Sequence, residues 1–239
     1  MILSGKYVKE EKEKLQVKKG FISKLESQGV IQQLQKIVPF KTEDLELKIA
    51  YDFTVPDYRD NGEIDFGNIT AVRANEEVQI KNILIKDQNH NKKGESLIID
   101  IVNGENVITY VFEEGKLRLN SKIKFEGNFL DATIDLEQAD NDQYQGVVAK
   151  DFPFPFCLAG GYKHCGPGCG DGLSKGGGTP INSIDACCRA HDRCWSAFGN
   201  GDACCDKALV DCTQANRWDG PVATDLIYHY FGPNAMKCR

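Results

Sequence analysis

The chain contains no cysteine before residue 157, although it holds ten in 239 residues. Its first 156 residues therefore offer no disulfide, no thiol nucleophile and no cysteine-bound metal. Histidine is scarce at four residues, and tryptophan and methionine occur twice each. No run of about 18 apolar residues is present, so no transmembrane segment is expected. An excess of positive charge is missing too: 29 Lys+Arg stand against 35 Asp+Glu, a net of −6. Residues 1–150 carry 21 against 26 and residues 151–239 carry 8 against 9, so neither part has the basic surplus of a nucleic-acid binder. There is no internal repeat and no low-complexity tract. A secretory leader is also not visible, because Met1-Ile2-Leu3-Ser4 runs straight into the charged stretch Lys9 to Lys14. The expectation is a leader already removed, or another export route.

What is present is concentrated at the other end. All ten cysteines lie between Cys157 and Cys238, an even number at the density of a disulfide framework, which implies an oxidising, extracellular-type compartment. Zinc is the competing reading. Zinc sites favour CxxC-type pairs, whereas these cysteines form the doublets Cys187-Cys188 and Cys204-Cys205, whose neighbours do not easily point at one ion. The abrupt change predicts two domains, 1–146 and 147–239, joined through the polar and then Pro-punctuated stretch of residues 138–155.

Apolar spacing predicts a helix over residues 5–38, interrupted at Gly20 and Gly29. From residue 44 the period shifts towards two: Leu45, Leu47, Ile49 and Tyr51 alternate with polar residues, as do Ile80 through Lys86. Leu97–Val102 and Val107–Phe112 read as a hairpin around Asn103-Gly104, and Ile123–Phe125 with Phe129–Leu136 as another around Gly127-Asn128. The expected N-terminal domain is α+β, a helix followed by an antiparallel sheet or sandwich. It holds no chemical constellation. His90, its one histidine, sits in the polar stretch Asn89–Lys93 and reads as a solvated loop, and the domain's expected role is targeting, propeptide or partner binding.

The chemistry lies in Cys187-Cys188-Arg189-Ala190-His191-Asp192-Arg193-Cys194. On a helix Cys188 and Asp192 share one face, and Cys187, His191 and Cys194 share another. A helix cross-linked on both faces holds an imidazole and a carboxylate rigidly while aiming them differently, as a general base beside a hard-cation ligand requires. Upstream, Tyr162-Lys163-His164-Cys165-Gly166-Pro167-Gly168-Cys169-Gly170-Asp171-Gly172 is a glycine-rich turn whose carbonyls can converge. Convergent carbonyls with one carboxylate suit calcium, a hard cation that takes oxygen ligands. Each residue has a plainer reading: His191 as a structural helix histidine, Asp192 as a surface acid, Asp171 as a turn former, and His229 as part of an aromatic packing cluster. The combination of loop and helix outweighs them for His191 and Asp192.

Cys165-Gly166-Pro167-Gly168 followed by Pro180 to Cys194 resembles the secreted phospholipase A2 superfamily, which carries an X-Cys-Gly-X-Gly calcium loop and a Cys-Cys-X-X-His-Asp-X-Cys helix. Cys205-Asp206, with Cys212 beyond, resembles that family's second long helix and its buried aspartate. The resemblance covers roughly residues 157–215. It implies a mainly helical, disulfide-rich C-terminal domain with two antiparallel long helices. It implies calcium-dependent hydrolysis of the sn-2 ester of glycerophospholipids at an aggregate or membrane surface, giving a lysophospholipid and a free fatty acid. His191 would be the base that activates water, and Asp206 would hold its other ring nitrogen. Asp192 and the backbone carbonyls of His164, Gly166 and Gly168 would bind calcium, with the Gly166 N–H joining the ion at the oxyanion. The side chain of His164 would not be a ligand.

The resemblance also implies the pairs Cys165–Cys188, Cys187–Cys212 and Cys194–Cys205. Cys157, Cys169, Cys204 and Cys238 remain, with three possible pairings. Three departures stand out. Trp195 occupies the position of a tyrosine that bonds the buried aspartate in many animal members, so either an indole N–H would donate instead or Asp206 would be supported otherwise. Cys169 replaces a glycine, and Ser174 to Gly178 form an insertion between loop and helix that points to a divergent branch, a microbial one among the candidates. Phe152, Phe154, Phe156, Leu158 and Ile184 are candidates for an acyl channel or interfacial rim, and equally for core. The alternative function is a non-catalytic phospholipase-like lipid- or receptor-binding toxin module.

Overall fold

The computed structural model describes residues 4–56, 64–124, 157–158, 161–166, 169–173 and 175–238. Two compact units emerge: Lys6–Phe53 with Phe66–Asp131, and Ala132–Arg239 with Met1–Gly5 and Thr54–Asp65.

The first unit is built on a seven-stranded sheet whose strands neighbour one another in chain order. They are β1 (Ser4–Tyr7), β2 (Glu46–Pro56), β3 (Ile64–Ala74), β4 (Val78–Lys86), β5 (Lys92–Asn103), β6 (Asn106–Glu113) and β7 (Lys116–Lys124). The pairs from β3 to β7 are antiparallel. Helices α1 (Glu11–Ser27) and α2 (Val30–Leu34) precede β2. The expected break at Gly20 does not occur. A helical glycine costs about 1 kcal/mol, but its neighbour Phe21 and then Leu25 are buried and hold the turn in place. The break comes at Gly29, whose φ of 73° a side chain would disfavour. The first residues of the expected helix, 5–7, are strand.

One face of the sheet, lined by Val72, Ala74, Val78, Ile80, Leu97, Ile99 and Ile101, packs under Phe21, Leu25, Val30, Ile31 and Leu34 of the helices. Register explains the stripe, since Val72 pairs with Ile80 and Ile80 with Ile99. Gln33 fastens α2 to the last hairpin: its amide donates to the Gly115 carbonyl (2.9 Å) and accepts from the Leu117 N–H (3.1 Å). The alternation over Ile80–Lys86 does not divide core from solvent, because Gln79, Lys81 and Asn82 are buried as well. Lys81 lies 3.3 Å from Asp100, and Asp100 accepts the Thr109 hydroxyl at 2.8 Å. The β5–β6 loop is Gly104-Glu105, one residue later than the expected Asn103-Gly104, since Asn103 pairs with Asn106. Gly104 takes φ 60° there. Lys124 ends β7, and the rest of the second expected hairpin, Phe125 and Phe129–Leu136, lies outside the described residues, as does the 138–155 linker.

The second unit is mainly helical: α3 (Ser183–Phe198), α4 (Ala203–Ala215) and α5 (Pro221–Ala235), with a short 3-10 turn at Arg217–Asp219. Five disulfides are formed: Cys157–Cys169, Cys165–Cys188, Cys187–Cys212, Cys194–Cys205 and Cys204–Cys238. Two of them join the start of α3 to the end of α4 and the end of α3 to the start of α4, so these helices run antiparallel. The sequence reading contains no third helix, although Gly220-Pro221 is a helix-start signal with proline at the first position. Arg217 and Asp225, both fully buried, form an ion pair between the 3-10 turn and α5.

The Lys81–Asp100 pair generates a stability prediction. Removing one partner of a buried ion pair typically costs about 3–5 kcal/mol. Lys81→Met in the full chain should therefore lower the urea midpoint of the sheet unit and speed hydrogen exchange of β4 and β5 amides. Leu119→Ala, at a side chain 64% exposed, should do neither.

Candidate active site

Helix α3 begins at a strong local signal. Asn182 is its N-cap, accepting the Asp185 N–H at 2.9 Å. Asp185 in turn is fully buried, and its carboxylate accepts from the backbone N–H of His164 (2.7 Å), Lys163 (3.0 Å) and Ile181 (3.1 Å). One side chain thus seats the glycine-rich loop on the first turn of the helix. The sequence reading assigned Asp185 no role, although Asn182 followed three residues later by an acid is a capping-box pattern.

One turn on, Cys188 bonds Cys165 and fixes the same loop covalently to α3. Asp192 follows after four residues, on that face. Its Oδ2 is buried with no hydrogen-bond partner among the described residues. Burial, and then the charges of Asp185 and Asp171, push its carboxyl up to about 7. Gly170 packs against it so closely that a Cβ there would lie 2.9 Å from Oδ2. A buried carboxylate oxygen with no donor is what a cation ligand leaves behind in the protein's own hydrogen bonding. Among the described residues no group of three His, Cys, Asp or Glu side chains gathers to hold a metal. A cation here would therefore rely on Asp192 and backbone carbonyls, the oxygen-rich donor set that calcium accepts, and the residues present fit that ion. Of the expected carbonyls, that of Gly166 accepts the Cys169 N–H at 3.2 Å and keeps a second lone pair. Gly168 lies outside the described residues.

The insertion folds back on this loop. Gly177 donates to the Lys163 carbonyl (2.8 Å), Gly170 to that of Lys175 (2.9 Å), and Gly178 to Asp171 Oδ1 (2.9 Å). The His164 ring is buried and donates through Nε2 to the Gly178 carbonyl at 2.9 Å. Asp171 also meets Arg193 at 3.4 Å, so it serves as a turn former and surface ion-pair partner. Cys169 is tied to Cys157.

The other face of α3 carries His191. Its Nε2 lies 2.8 Å from Asp206 Oδ1, with both side chains buried. A carboxylate oxygen is the acceptor here, so Nε2 carries the proton and on the neutral ring Nδ1 keeps a lone pair. Burial holds the imidazole below the ordinary histidine value, while the hydrogen bond and charge of Asp206 pull the other way. Trp195 donates its indole N–H to Asp206 Oδ1 at 3.0 Å, in the manner its position suggests. Asp206 Oδ2 receives the Asn234 amide at 2.8 Å, a contact from α5 that no sequence signal announced. Phe231 sits edge-on to His191, with ring centroids 5.2 Å apart. His229 packs edge-on against Tyr230. Leu158 and Ile184 are buried, and Phe152, Phe154 and Phe156 lie outside the described residues.

Known proteins match this chain over part of its length. It is 38% identical over 66 residues to the acidic phospholipase A2 homolog taipoxin gamma chain of Oxyuranus scutellatus scutellatus, covering 27% of this chain and 40% of that one. Over 51 residues it is 41% identical to the phospholipase A2 of Bos taurus, covering 21% of this chain and 33% of that protein. Over 80 residues it is 35% identical to the acidic phospholipase A2 S17-58 of Austrelaps superbus, covering 33% and 48%. The chain spans between a third and a half of the length of these curated relatives. No family model matches, and no solved structure matches. The disulfide-rich part of the chain fits a divergent member of the phospholipase A2-like superfamily.

Proposed function

We propose that the C-terminal domain, residues 147–239, is a calcium-dependent phospholipase A2 that hydrolyses the sn-2 ester of glycerophospholipids. The observation that carries this reading is the pairing, on one helix, of a buried His191–Asp206 hydrogen bond with a buried Asp192 oxygen that has no donor among the described residues. His191 Nδ1 takes a proton from a water molecule, and Asp206 stabilises the resulting imidazolium without itself accepting the proton. Trp195 and Phe231 flank the ring, at centroid distances of 4.4 and 5.2 Å, and keep its orientation. Asp192 and the carbonyls of His164, Gly166 and Gly168 would hold calcium. When bound, the ion supplies Lewis-acid polarisation of the ester carbonyl, and the Gly166 N–H donates to the same oxygen.

The substrate surface is a phospholipid aggregate or membrane, approached peripherally. No helix among the described residues is long and apolar enough to cross a membrane. The five disulfides support an extracellular or otherwise oxidising location. Residues 1–146 serve targeting, restraint or partner binding. A second reading, a non-catalytic toxin-type module, is favoured by the match to a relative named as a phospholipase A2 homolog and taipoxin chain. The intact His191, Asp192 and Asp206 weigh towards catalysis.

Fatty-acid release from mixed phospholipid vesicles separates the two. The wild type should release fatty acid with calcium and stop with a chelator, and His191→Gln should lose at least about a hundredfold in rate. Wild-type protein that binds vesicles without release would establish the second reading. A pH dependence follows from Asp192. Its carboxyl, raised to about 7, is protonated below that pH and must lose the proton to bind an ion. Calcium affinity measured by titration calorimetry should fall about tenfold per pH unit below 7 and level off above it. Asp192→Asn should bind calcium weakly at every pH. Because His191 is held below the ordinary histidine value, release at saturating calcium should persist below pH 6.5.

A further inference from the structure

Asp206 accepts hydrogen bonds from three side chains, and only two of them lie on α3, the helix cross-linked to its own. His191 and Trp195, both on α3, converge on Oδ1 at 2.8 and 3.0 Å. The donor to Oδ2 is Asn234 Nδ2, at 2.8 Å, from the last turn of α5. That same nitrogen donates its second hydrogen to the Gly201 carbonyl at 2.9 Å, in the turn between α3 and α4. Both partners of Nδ2 are acceptors only, which fixes which end of the amide faces the carboxylate.

We propose that Asn234 is a positioning residue for the general base: it locks the Asp206 carboxylate in the plane from which Oδ1 receives His191 Nε2–H. The inference rests on the hydrolytic reading above for its catalytic consequence, but its geometry stands on the contacts alone. A carboxylate with donors on one oxygen only can swing about its Cβ–Cγ bond. Asp206 is 2% exposed, so an Oδ2 deprived of Asn234 has little water to turn to. It would compete with Oδ1 for the α3 donors and loosen the imidazole's orientation. The placement of Asn234 is itself doubly secured. Phe231, one turn earlier on α5, packs against both His191 and Trp195. Cys238, four residues later, is bonded to Cys204 at the start of the helix that carries Asp206. The third helix is thereby part of the catalytic apparatus rather than a cover over it.

The test uses full-length protein and four measurements on Asn234→Ala and Asn234→His. The histidine variant restores a donor, since its Nδ1 falls close to where the asparagine Nδ2 lies. For Asn234→Ala, kcat on a monomeric short-chain phosphatidylcholine should fall at least tenfold, the size of loss typical when the partner orienting a functional imidazole is removed. KM and the calcium dissociation constant should stay at wild-type values, and Asn234→His should recover most of kcat. The exchange-protected Nε2–H proton of His191, observed by NMR without calcium, should be present in wild type and Asn234→His and lost or broadened in Asn234→Ala. An unchanged kcat, or a retained Nε2–H signal in Asn234→Ala, overturns the proposal. So does a parallel loss of calcium affinity and kcat, which marks a merely structural role. Should the wild type release no fatty acid, the hydrolytic reading fails while the Nε2–H signal still decides this one.

Discussion

Helix α3 is cross-linked on two faces, and every functional contact of the C-terminal unit depends on that. One disulfide, Cys165–Cys188, holds the glycine-rich loop against the face that bears Asp192. Two more, Cys187–Cys212 and Cys194–Cys205, hold α4 against the face that bears His191. Small units bury a lesser share of their apolar surface, so covalent links add to what packing alone can fix. Each covalent closure of this size removes about 3 kcal/mol of chain entropy from the unfolded state. The cysteines act neither as ligands nor as nucleophiles. They hold the loop and α4 against the faces that two adjacent residues of α3 present.

The two faces differ electrically in a way that suits separate duties. On the α4 side the imidazole meets a carboxylate already supplied with donors by Trp195 and Asn234, so the hydrogen bond is complete within the protein. On the loop side Asp192 meets other carboxylates, Asp185 and Asp171, and its inner oxygen has no donor among the described residues. Burial and these neighbouring charges favour an Asp192 that is protonated or neutralised by a cation. Asp185 reconciles the two needs. It accepts from three backbone N–H groups, so it shapes the loop while its charge bears on Asp192.

Much of this was legible in the sequence, because the responsible signals are local. The periodicity of residues 187–194 places Asp192 and His191 on their faces, and the glycine loop and Asp206 stand in the order the family resemblance requires. Trp195 as a donor was one of two alternatives that the resemblance left open, and its 3.0 Å contact with Asp206 decides for it. Long-range partners were not legible. Asn234 lies 28 residues from Asp206 in the chain, beyond any helical or turn period. The same holds for Cys204–Cys238 and for the buried Arg217–Asp225 pair, which depend on how α5 packs. In the sheet unit, strand pattern marked the β5–β6 hairpin but not the β3–β4 and β6–β7 ones. It could not reveal that Lys81 and Asp100 are buried, since a polar residue in an alternating strand normally faces water.

The central claim is a division of labour on one helix, with the loop-side cross-link serving the ion and the α4-side contacts serving the base. The calcium dependence of fatty-acid release by the double variant Cys165→Ser/Cys188→Ser tests it most directly. Loss of the clamp should raise the calcium concentration for half-maximal release at least about tenfold, while the rate at saturating calcium stays close to wild type. An unchanged calcium requirement, or a rate that no amount of calcium restores, would contradict the account.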